Sequence, residues 1–264
     1  MIDEARTAFR ELHTSGTFVL PNPFDVGSAL LLERLGFAAL ATTSSGFAAT
    51  LGRADQRVTR DHLVAHVAAL TAAVTVPVNV DAEHGYAPDP AGVARTVELL
   101  AEAGASGVSI EDYDPEAGAV EPVEVATERI AAAAAVCDRH GVVLTGRAEN
   151  HLYGAGDLAD TIARLSAYRA AGATCVYAPG LTDLADIGRV VAETGAPVNV
   201  LALRDGPTVA ELAGAGVRRV STGGGLAWAA YGALVRAAEE LRDAGTSTYL
   251  DDAVSGSLRR ATFT

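Results

Sequence analysis

Lysine is absent from this 264-residue chain; all 20 of its basic side chains are arginines. That excludes chemistry built on an ε-amino group: Schiff-base catalysis and the phosphate-binding P-loop with its lysine. Positive charge is scarce in general. Against 33 acidic residues the formal net charge is −13, a balance unsuited to the phosphate backbone of a nucleic acid. Cysteine occurs twice, as Cys137 in AAAAAVCDRH and Cys175 in TCVYAPG. Two thiols so placed make neither a zinc site nor a disulfide framework, and each reads as a small buried hydrophobe. No apolar run reaches the ~18 residues of a membrane span, so no membrane partner is expected. The N-terminal stretch MIDEARTAFRELHTSG is amphipathic and charged, without the basic start and apolar core of a secretory signal. A soluble, cytoplasmic protein is expected.

What is present is a regular alternation. Short apolar runs occupy residues 17–22, 38–44, 76–83, 107–112, 142–149, 174–180, 197–203 and 218–223. Amphipathic stretches such as RDHLVAHVAALTAAV and PAGVARTVELLAEAG lie between them. Glycine follows several of these, as a helix C-cap should. Eight strands, each followed by a helix, predict an α/β fold of the (β/α)₈ barrel type. The length suits one such barrel, spanning residues 1–264 as a single domain. The other candidate is an open doubly wound sheet, which usually opens on a glycine-rich dinucleotide loop; here the first strand ends LPNPFDVGS. STGGG at 221–225 reads either as a phosphate loop or as a tight turn into the next helix. The polar tail, residues 245–264, predicts a C-terminal helical extension that docks on a neighbouring subunit.

The polar residues fall at strand ends. In VPVNVDAEHGYAPDP, residues 76–90, a buried strand runs into Asp81 and Glu83. Strand side chains alternate, so these two acids share one face and Val78, Val80 and Ala82 the other. With the valines toward the helices, both acids point into the barrel mouth, where parallel barrels keep their catalytic groups. The fourth strand ends Glu111-Asp112, the fifth Arg147-Ala148-Glu149-Asn150, and the second Thr42-Thr43-Ser44-Ser45-Gly46; the seventh carries Asn199. Singly, Glu111 reads as a partner for Arg147 and Asp112 as a turn cap. Jointly, these groups interrupt otherwise apolar strands and mark a functional site. Converging carboxylates without a histidine or cysteine cluster suit a hard cation, Mg²⁺ or Mn²⁺. Left unpaired, they repel one another and their pKa values rise. Arg147 suits a bidentate grip on a substrate carboxylate or phosphonate. Backbone N–H groups around Ser44, Ser45 and Gly46 suit a second anionic oxygen. Metal, arginine and donors in combination stabilise an enolate oxygen.

The stretch VNVDAEHGYAPDPAGVARTVELLAEAGASGVSIED resembles the signature of the isocitrate lyase/phosphoenolpyruvate mutase superfamily. LPNPFDVGSALLLERLGFAALATTSSGFAATLGRAD resembles that family's opening, LTGRAENHLYG its arginine-bearing fifth strand, and PVNVLAL its seventh. The resemblance covers roughly residues 15–240. It implies a (β/α)₈ barrel, often a homodimer or homotetramer that swaps a terminal helix. It implies Mg²⁺ near Asp81, with Glu83, Glu111 and Asp55 around it, partly through water. Substrate oxygens would be held by Ser44, Ser45, Gly46, Arg147 and Asn199, and the substrates would be 2-oxo or 2-hydroxy acids that react through an enolate.

The departures narrow this. The lyase branches carry a cysteine-bearing loop after the Glu-Asp strand, and the mutases a gate with lysine and asparagine. Here the segment is EDYDPEAGAVEPVEVATERI, with no cysteine, lysine or histidine. A true isocitrate lyase, methylisocitrate lyase or mutase is therefore not expected. The catalytic candidates are Arg147 and Glu111 in the cluster and His84 and Tyr113 beside it. His84 reads either as a local acid or base or as a hydrogen-bonding partner of a neighbouring loop. Tyr113, Tyr86, Tyr153 and His151 read either as the proton donor or as pocket lining. Trp228 reads as packing, at a subunit contact. The expected activity is Mg²⁺-dependent cleavage of a carbon–carbon bond in a small 2-oxo or 2-hydroxy (di)carboxylic acid, as a lyase or decarboxylase. Phosphonopyruvate-type P–C hydrolysis or rearrangement is the alternative, as is an inactive protein that only binds oxyacids.

Overall fold

A computed structural model describes residues 2–263. Eight parallel strands form one sheet: β1 Phe18–Leu20, β2 Leu40–Ala41, β3 Val78–Asp81, β4 Gly107–Glu111, β5 Val143–Arg147, β6 Cys175–Tyr177, β7 Val198–Leu201 and β8 Arg219–Ser221. Each lies inside the apolar run expected to hold it. Each is also shorter than that run, whose last residues leave the ladder for the loop that follows.

The strand order is 1-8-7-6-5-4-3-2. The gap between β1 and β2 is bridged by a bond from the Ala41 N–H to the Pro21 carbonyl, 3.0 Å. Asn22 completes the seam. Its Nδ2 donates to the Thr42 carbonyl at 2.6 Å, while its Oδ1 accepts from the N–H groups of Thr222 and Gly223, both at 2.9 Å. The barrel therefore stands and the open sheet does not. The same bonds favour the turn reading of STGGG, because Asn22 takes the N–H groups of Thr222 and Gly223. Gly224 is needed for a close approach: a Cβ there would lie 2.5 Å from Ser45 Oγ.

The helices are α1 Ile2–Leu12, α2 Val26–Arg34, α3 Ser44–Thr50, α4 Arg60–Ala73, α5 Pro90–Glu102, α6 Val123–His140, α7 Leu158–Ala170, α8 Leu184–Thr194, α9 Val209–Gly214, α10 Gly225–Asp243 and α11 Gly256–Thr262. The expected C-terminal extension is a 3₁₀ turn, Thr248–Asp252, followed by α11, which packs on α2.

Outward-facing Val80, Val108, Ile110, Leu144, Val176, Val200 and Val220 join the helices in one apolar shell. Inside, Leu20, Ala41, Val143 and Cys175 close the bottom of the barrel around Phe9 of α1. Gly107 makes room for that plug: a Cβ there would come within 2.5 Å of the Phe9 ring. Above it lies a polar layer. Arg219 is 2% exposed. Its Nε donates to Asn199 Oδ1 and its Nη2 to Thr145 Oγ1, both at 2.9 Å. His13 Nδ1 donates to the Phe9 carbonyl at 2.7 Å, which leaves Nε2 to accept from Arg219 Nη1 at 3.3 Å. Burial, and then the Arg219 charge, push His13 down to about 3, so the ring is neutral as this network requires. Dipoles, and no carboxylate among the described residues, meet the Arg219 guanidinium.

Removing the Asn22 side chain leaves buried donors and a buried carbonyl unpaired at the seam. Asn22→Ala is expected to lower unfolding stability by about 2–4 kcal/mol, read from denaturant melts. A change below about 0.5 kcal/mol, the size of an ordinary surface substitution, would show that the seam does not need this residue.

Candidate active site

After β3 the chain turns sharply. Glu83, Gly85 and Tyr86 take φ values of 47°, 88° and 56°, all left-handed, a conformation non-glycine residues adopt only where their surroundings hold it. A Cβ on Gly85 would strike Val93 Cγ2 at 2.8 Å. Several bonds hold the turn. The Glu111 N–H donates to the Glu83 carbonyl at 2.9 Å. Tyr86 Oη donates to Glu83 Oε1 at 2.6 Å. Arg129 Nη1 donates to the carbonyls of His84 and Ala87, at 3.1 and 2.8 Å.

The turn brings Asp81 and Glu83 to the mouth beside Arg147. The Arg147 Nη1 lies 3.2 Å from Glu111 Oε2 and 3.7 Å from Asp81 Oδ1, and its Nε bonds Glu149. The Arg147 guanidinium carbon sits 5.2 Å from the centre of the Tyr177 ring, within cation–π range. Asp81 Oδ2 accepts from the Ser44 N–H at 3.3 Å. Asp55 lies in the loop before α4, where its Oδ1 accepts from the Gln56 N–H at 3.1 Å. Gln56, with φ at 58°, reaches in and donates to Glu111 Oε1 at 3.1 Å.

Three carboxyl groups thus share one guanidinium, and Glu83 and Asp55 lie within reach of its charge. Glu83, Glu111 and Glu149 are at most 5% exposed. Burial pushes Glu83 up to about 8, against a lowering by the Tyr86 hydroxyl, and Asp81 and Asp55 push it further. Burial also raises Glu111 well above the usual carboxylate range; Arg147 opposes this, while Glu149 and Asp81 add to it. Asp55 and Glu149 are raised too, chiefly by burial. Burial works against the Arg147 charge, but Glu111, Glu149 and Asp81 outweigh it and hold its pKa well above normal. Without a further cation, burial favours the protonated form of Glu83, Glu111, Glu149 and Asp55.

No three of the described acidic, histidine or cysteine side chains form a ready-made metal cage. The donor set fits a hydrated hard cation on one or two carboxylates, the manner in which Mg²⁺ binds. Asp81, Glu83, Glu111 and Asp55 are the residues that would hold it.

The other expected site residues divide. Ser44 and Ser45 open α3 at the mouth. The Gly46 N–H already donates to Thr43 Oγ1 at 3.3 Å, and a Cβ on Gly46 would meet Thr43 Cγ2 at 2.6 Å. Asn199 lies a layer lower, its amide engaged with Ser221 and Arg219. Its part in the site is to fix the floor. His84 is not drawn into the carboxylate cluster. Its pKa is lowered by burial and by Arg129, and the acids that act on it are Asp114 and Glu116. Those two belong to the segment 113–120, a short antiparallel hairpin pairing Tyr113–Asp114 with Ala119–Val120. Tyr113 stacks on Tyr153 with ring centres 4.2 Å apart, a wall at the rim. Tyr86 has its hydroxyl on Glu83. Asp112 is structural: it accepts from the Glu149 N–H at 2.7 Å and from Tyr168 Oη at 2.6 Å.

Two members of the site were not anticipated. Gln56 offers no sequence signal beyond its place after Asp55. Tyr177 does offer one: it stands two residues after Cys175, on the inner face, in register with Arg147 and Asn199.

The sequence model of phosphoenolpyruvate phosphomutase matches residues 9–242. The chain belongs to the phosphoenolpyruvate phosphomutase family. A solved structure from Burkholderia cenocepacia J2315, whose designation as a lyase/mutase is provisional, is 46% identical with a TM-score of 0.95, over 100% of this chain and 97% of that one. The oxaloacetate decarboxylase of Bradyrhizobium sp. (strain ORS 278) is 32% identical over 202 residues, 73% of this chain and 69% of that protein. Oxaloacetate acetylhydrolase, solved with its product oxalate, is 26% identical with a TM-score of 0.88, over 98% and 93% of the two chains. The resemblance read from the strand-end motifs is thereby borne out, with the barrel it implied. The chain is an enzyme of the isocitrate lyase/phosphoenolpyruvate mutase type.

The raised acids give a pH test. Glu83 moves from an ordinary 4.5 to about 8. A carboxyl group raised in the folded state contributes stability that is complete below its unfolded pKa and is lost as pH rises through its folded pKa. The metal-free protein should therefore lose stability between about pH 5 and pH 9. Mg²⁺ competes with those protons, so it should raise the melting temperature more at about pH 9 than at about pH 6. Equal shifts at the two pH values would mean that the cluster does not bind the ion.

Proposed function

We propose that this enzyme is a Mg²⁺-dependent decarboxylase or carbon–carbon lyase acting on a small 2-oxo or 2-hydroxy acid, with oxaloacetate the first substrate to test. The observation that carries the proposal is the charge imbalance at the barrel mouth, one arginine among Asp81, Glu83, Glu111, Glu149 and Asp55. Mn²⁺ fits the same oxygen donors. Bound there, the cation would draw electron density from the substrate's 2-oxygen and so stabilise an enolate.

The chain's own groups do the rest. Once a cation balances the carboxylates, the Arg147 guanidinium can turn its free N–H groups to a substrate carboxylate. Ser44 and Ser45 border the same space at the start of α3. Glu111 sets the angle of Arg147, and Gln56 in turn holds Glu111. Burial of Glu83, Glu111 and Glu149 excludes water from one side of the site, which strengthens every charge interaction within it. Cleavage beside the 2-oxo group leaves the electron pair on the carbon next to it, and that carbon then takes a proton. The P–C alternative is weakened by the hairpin 113–120, which carries no cationic side chain toward a phosphonate.

A homo-oligomer, dimer or tetramer, is part of the proposal. Trp228, Leu234, Val235 and Leu241 of α10 are 52–62% exposed, as are Leu250 and Phe263 of the tail at 61% and 50%. So much apolar surface on one segment is characteristic of a covered interface. Light scattering on the purified protein should give a mass at least twice that of the 26.9 kDa chain; a monomer would contradict it.

Oxaloacetate decarboxylation, followed as pyruvate above the metal-only background, tests the activity. Chelation should abolish it. Arg147→Met should lower kcat/KM by about 10²–10³-fold, the usual loss of a preorganised charge contact. Full turnover in chelator, or no turnover of any small oxyacid with Mg²⁺, would overturn the proposal.

A further inference from the structure

Tyr177 ends β6 on the barrel's inner face and is 8% exposed. Buried tyrosine hydroxyls normally find a partner. Tyr86 donates to Glu83 and Tyr168 to Asp112. The Tyr177 hydroxyl has no hydrogen-bond partner among the described residues, and the residue borders a cavity of about 50 Å³ also lined by Asp81, Arg147, Asn199 and Ser221. Among the described tyrosines it is the one that lines this cavity. Tyr113 and Tyr153 are stacked on each other at the rim, and His84, whose buried Nδ1 also has no partner, does not line this cavity.

The cavity joins Tyr177 to Asp81 and Arg147, the groups proposed to hold the metal and the oxyacid. A substrate with its oxygens near Asp81 and Arg147 places its next carbon in this space. The volume is small beside the ~300–1,000 Å³ of a typical ligand pocket. It accommodates a methylene or methyl carbon and no long branch.

We propose that Tyr177 is the catalytic acid, delivering its phenolic proton to the carbon of the enolate. The inference rests on the lyase reading above. In oxaloacetate the C3–C4 bond breaks and CO₂ leaves. The electron pair of that bond becomes the C2–C3 double bond of the enolate, with the charge on the 2-oxygen. The enolate carbon C3 then takes the proton from Tyr177 Oη. The double-bond electrons form the new C–H bond, the 2-oxo group is restored, and water reprotonates the phenolate. Arg147, against the ring, stabilises the phenolate while it lasts. No oxidant or reductant is needed.

Tyr177→Phe keeps the ring and its contact with Arg147 and removes the O–H alone. Three readings decide the matter. The variant should keep its melting temperature and bind oxalate, an enolate mimic that needs no proton, as wild type does. Its kcat on oxaloacetate, and its exchange of pyruvate methyl protons in D₂O, should fall by about 10²–10³-fold, a general-acid loss, while KM stays within about threefold. With 3-methyl-oxaloacetate in D₂O, wild type should yield one enantiomer of deuterated 2-oxobutyrate and the variant a racemate. If wild type neither decarboxylates nor exchanges, the lyase reading falls and Tyr177's role falls with it. If wild type is active and the variant exchanges as fast, with a single enantiomer, Tyr177 is not the acid and the lyase reading stands. A racemic wild-type product would overturn the proposal without any variant.

Discussion

Arg147 is the one cation among five carboxyl groups, and most of the upper barrel follows from that inequality. Three of the acids are nearly inaccessible, so water cannot screen them. Their proximity is imposed from outside the cluster. The left-handed turn at Glu83–Tyr86 is locked by Arg129, whose guanidinium caps the turn's carbonyls and pairs with Glu121 at 3.0 Å. Asp112, on the outer face, ties β4 to Glu149 at the end of β5. A fold that relaxed its own repulsion would splay these loops. This one spends backbone strain and buried ion pairs to hold them together, an arrangement that the proposed cation would complete.

The floor beneath the cluster is built on a different rule. Arg219 is buried, yet its charge is met by an amide, a hydroxyl and a neutral imidazole. A carboxylate partner would have cancelled its field. Dipoles leave much of that field directed into the lumen, beneath the place where an anionic substrate would sit. The same network fixes Asn199 and, through it, Ser221. The floor is thus fixed and electropositive under a mouth rich in carboxyl groups. An oxyacid with a hydrated cation at its upper end matches that polarity.

The barrel was legible because parallel strands covered by helices on one side read as short, nearly continuous apolar runs, and all eight fell where those runs predicted. The acid–arginine cluster was legible because period-two alternation assigns faces: Asp81, Glu83, Glu111 and Arg147 do meet. What a linear pattern cannot carry is whether a polar group is already satisfied. Asn199 has the right type and position for a ligand contact, but its amide is taken by Arg219 and Ser221. His84 follows the metal acids by a single residue, yet the turn that aims Glu83 inward sets it beside Asp114 and Glu116. Tyr177 stands in the opposite case. Its strand was read correctly and its face was computable, but only its place on the wall of the inner cavity, seen in three dimensions, singles it out from the tyrosines at the rim.

The hairpin at 113–120 bears on what the site can hold. It is a two-residue pairing with a tight turn, and its aromatic face is occupied by the Tyr113–Tyr153 stack. A segment so short cannot fold down over the mouth and bring a proton donor with it, so chemistry here depends on groups already fixed to the barrel. That constraint and the narrow cavity below act in the same direction. A substrate carbon must descend to a stationary acid, and a long branch would stop it short. Small C₃ and C₄ oxyacids satisfy both conditions, whereas a branched tricarboxylate would have to leave its reacting carbon above the level of Tyr177.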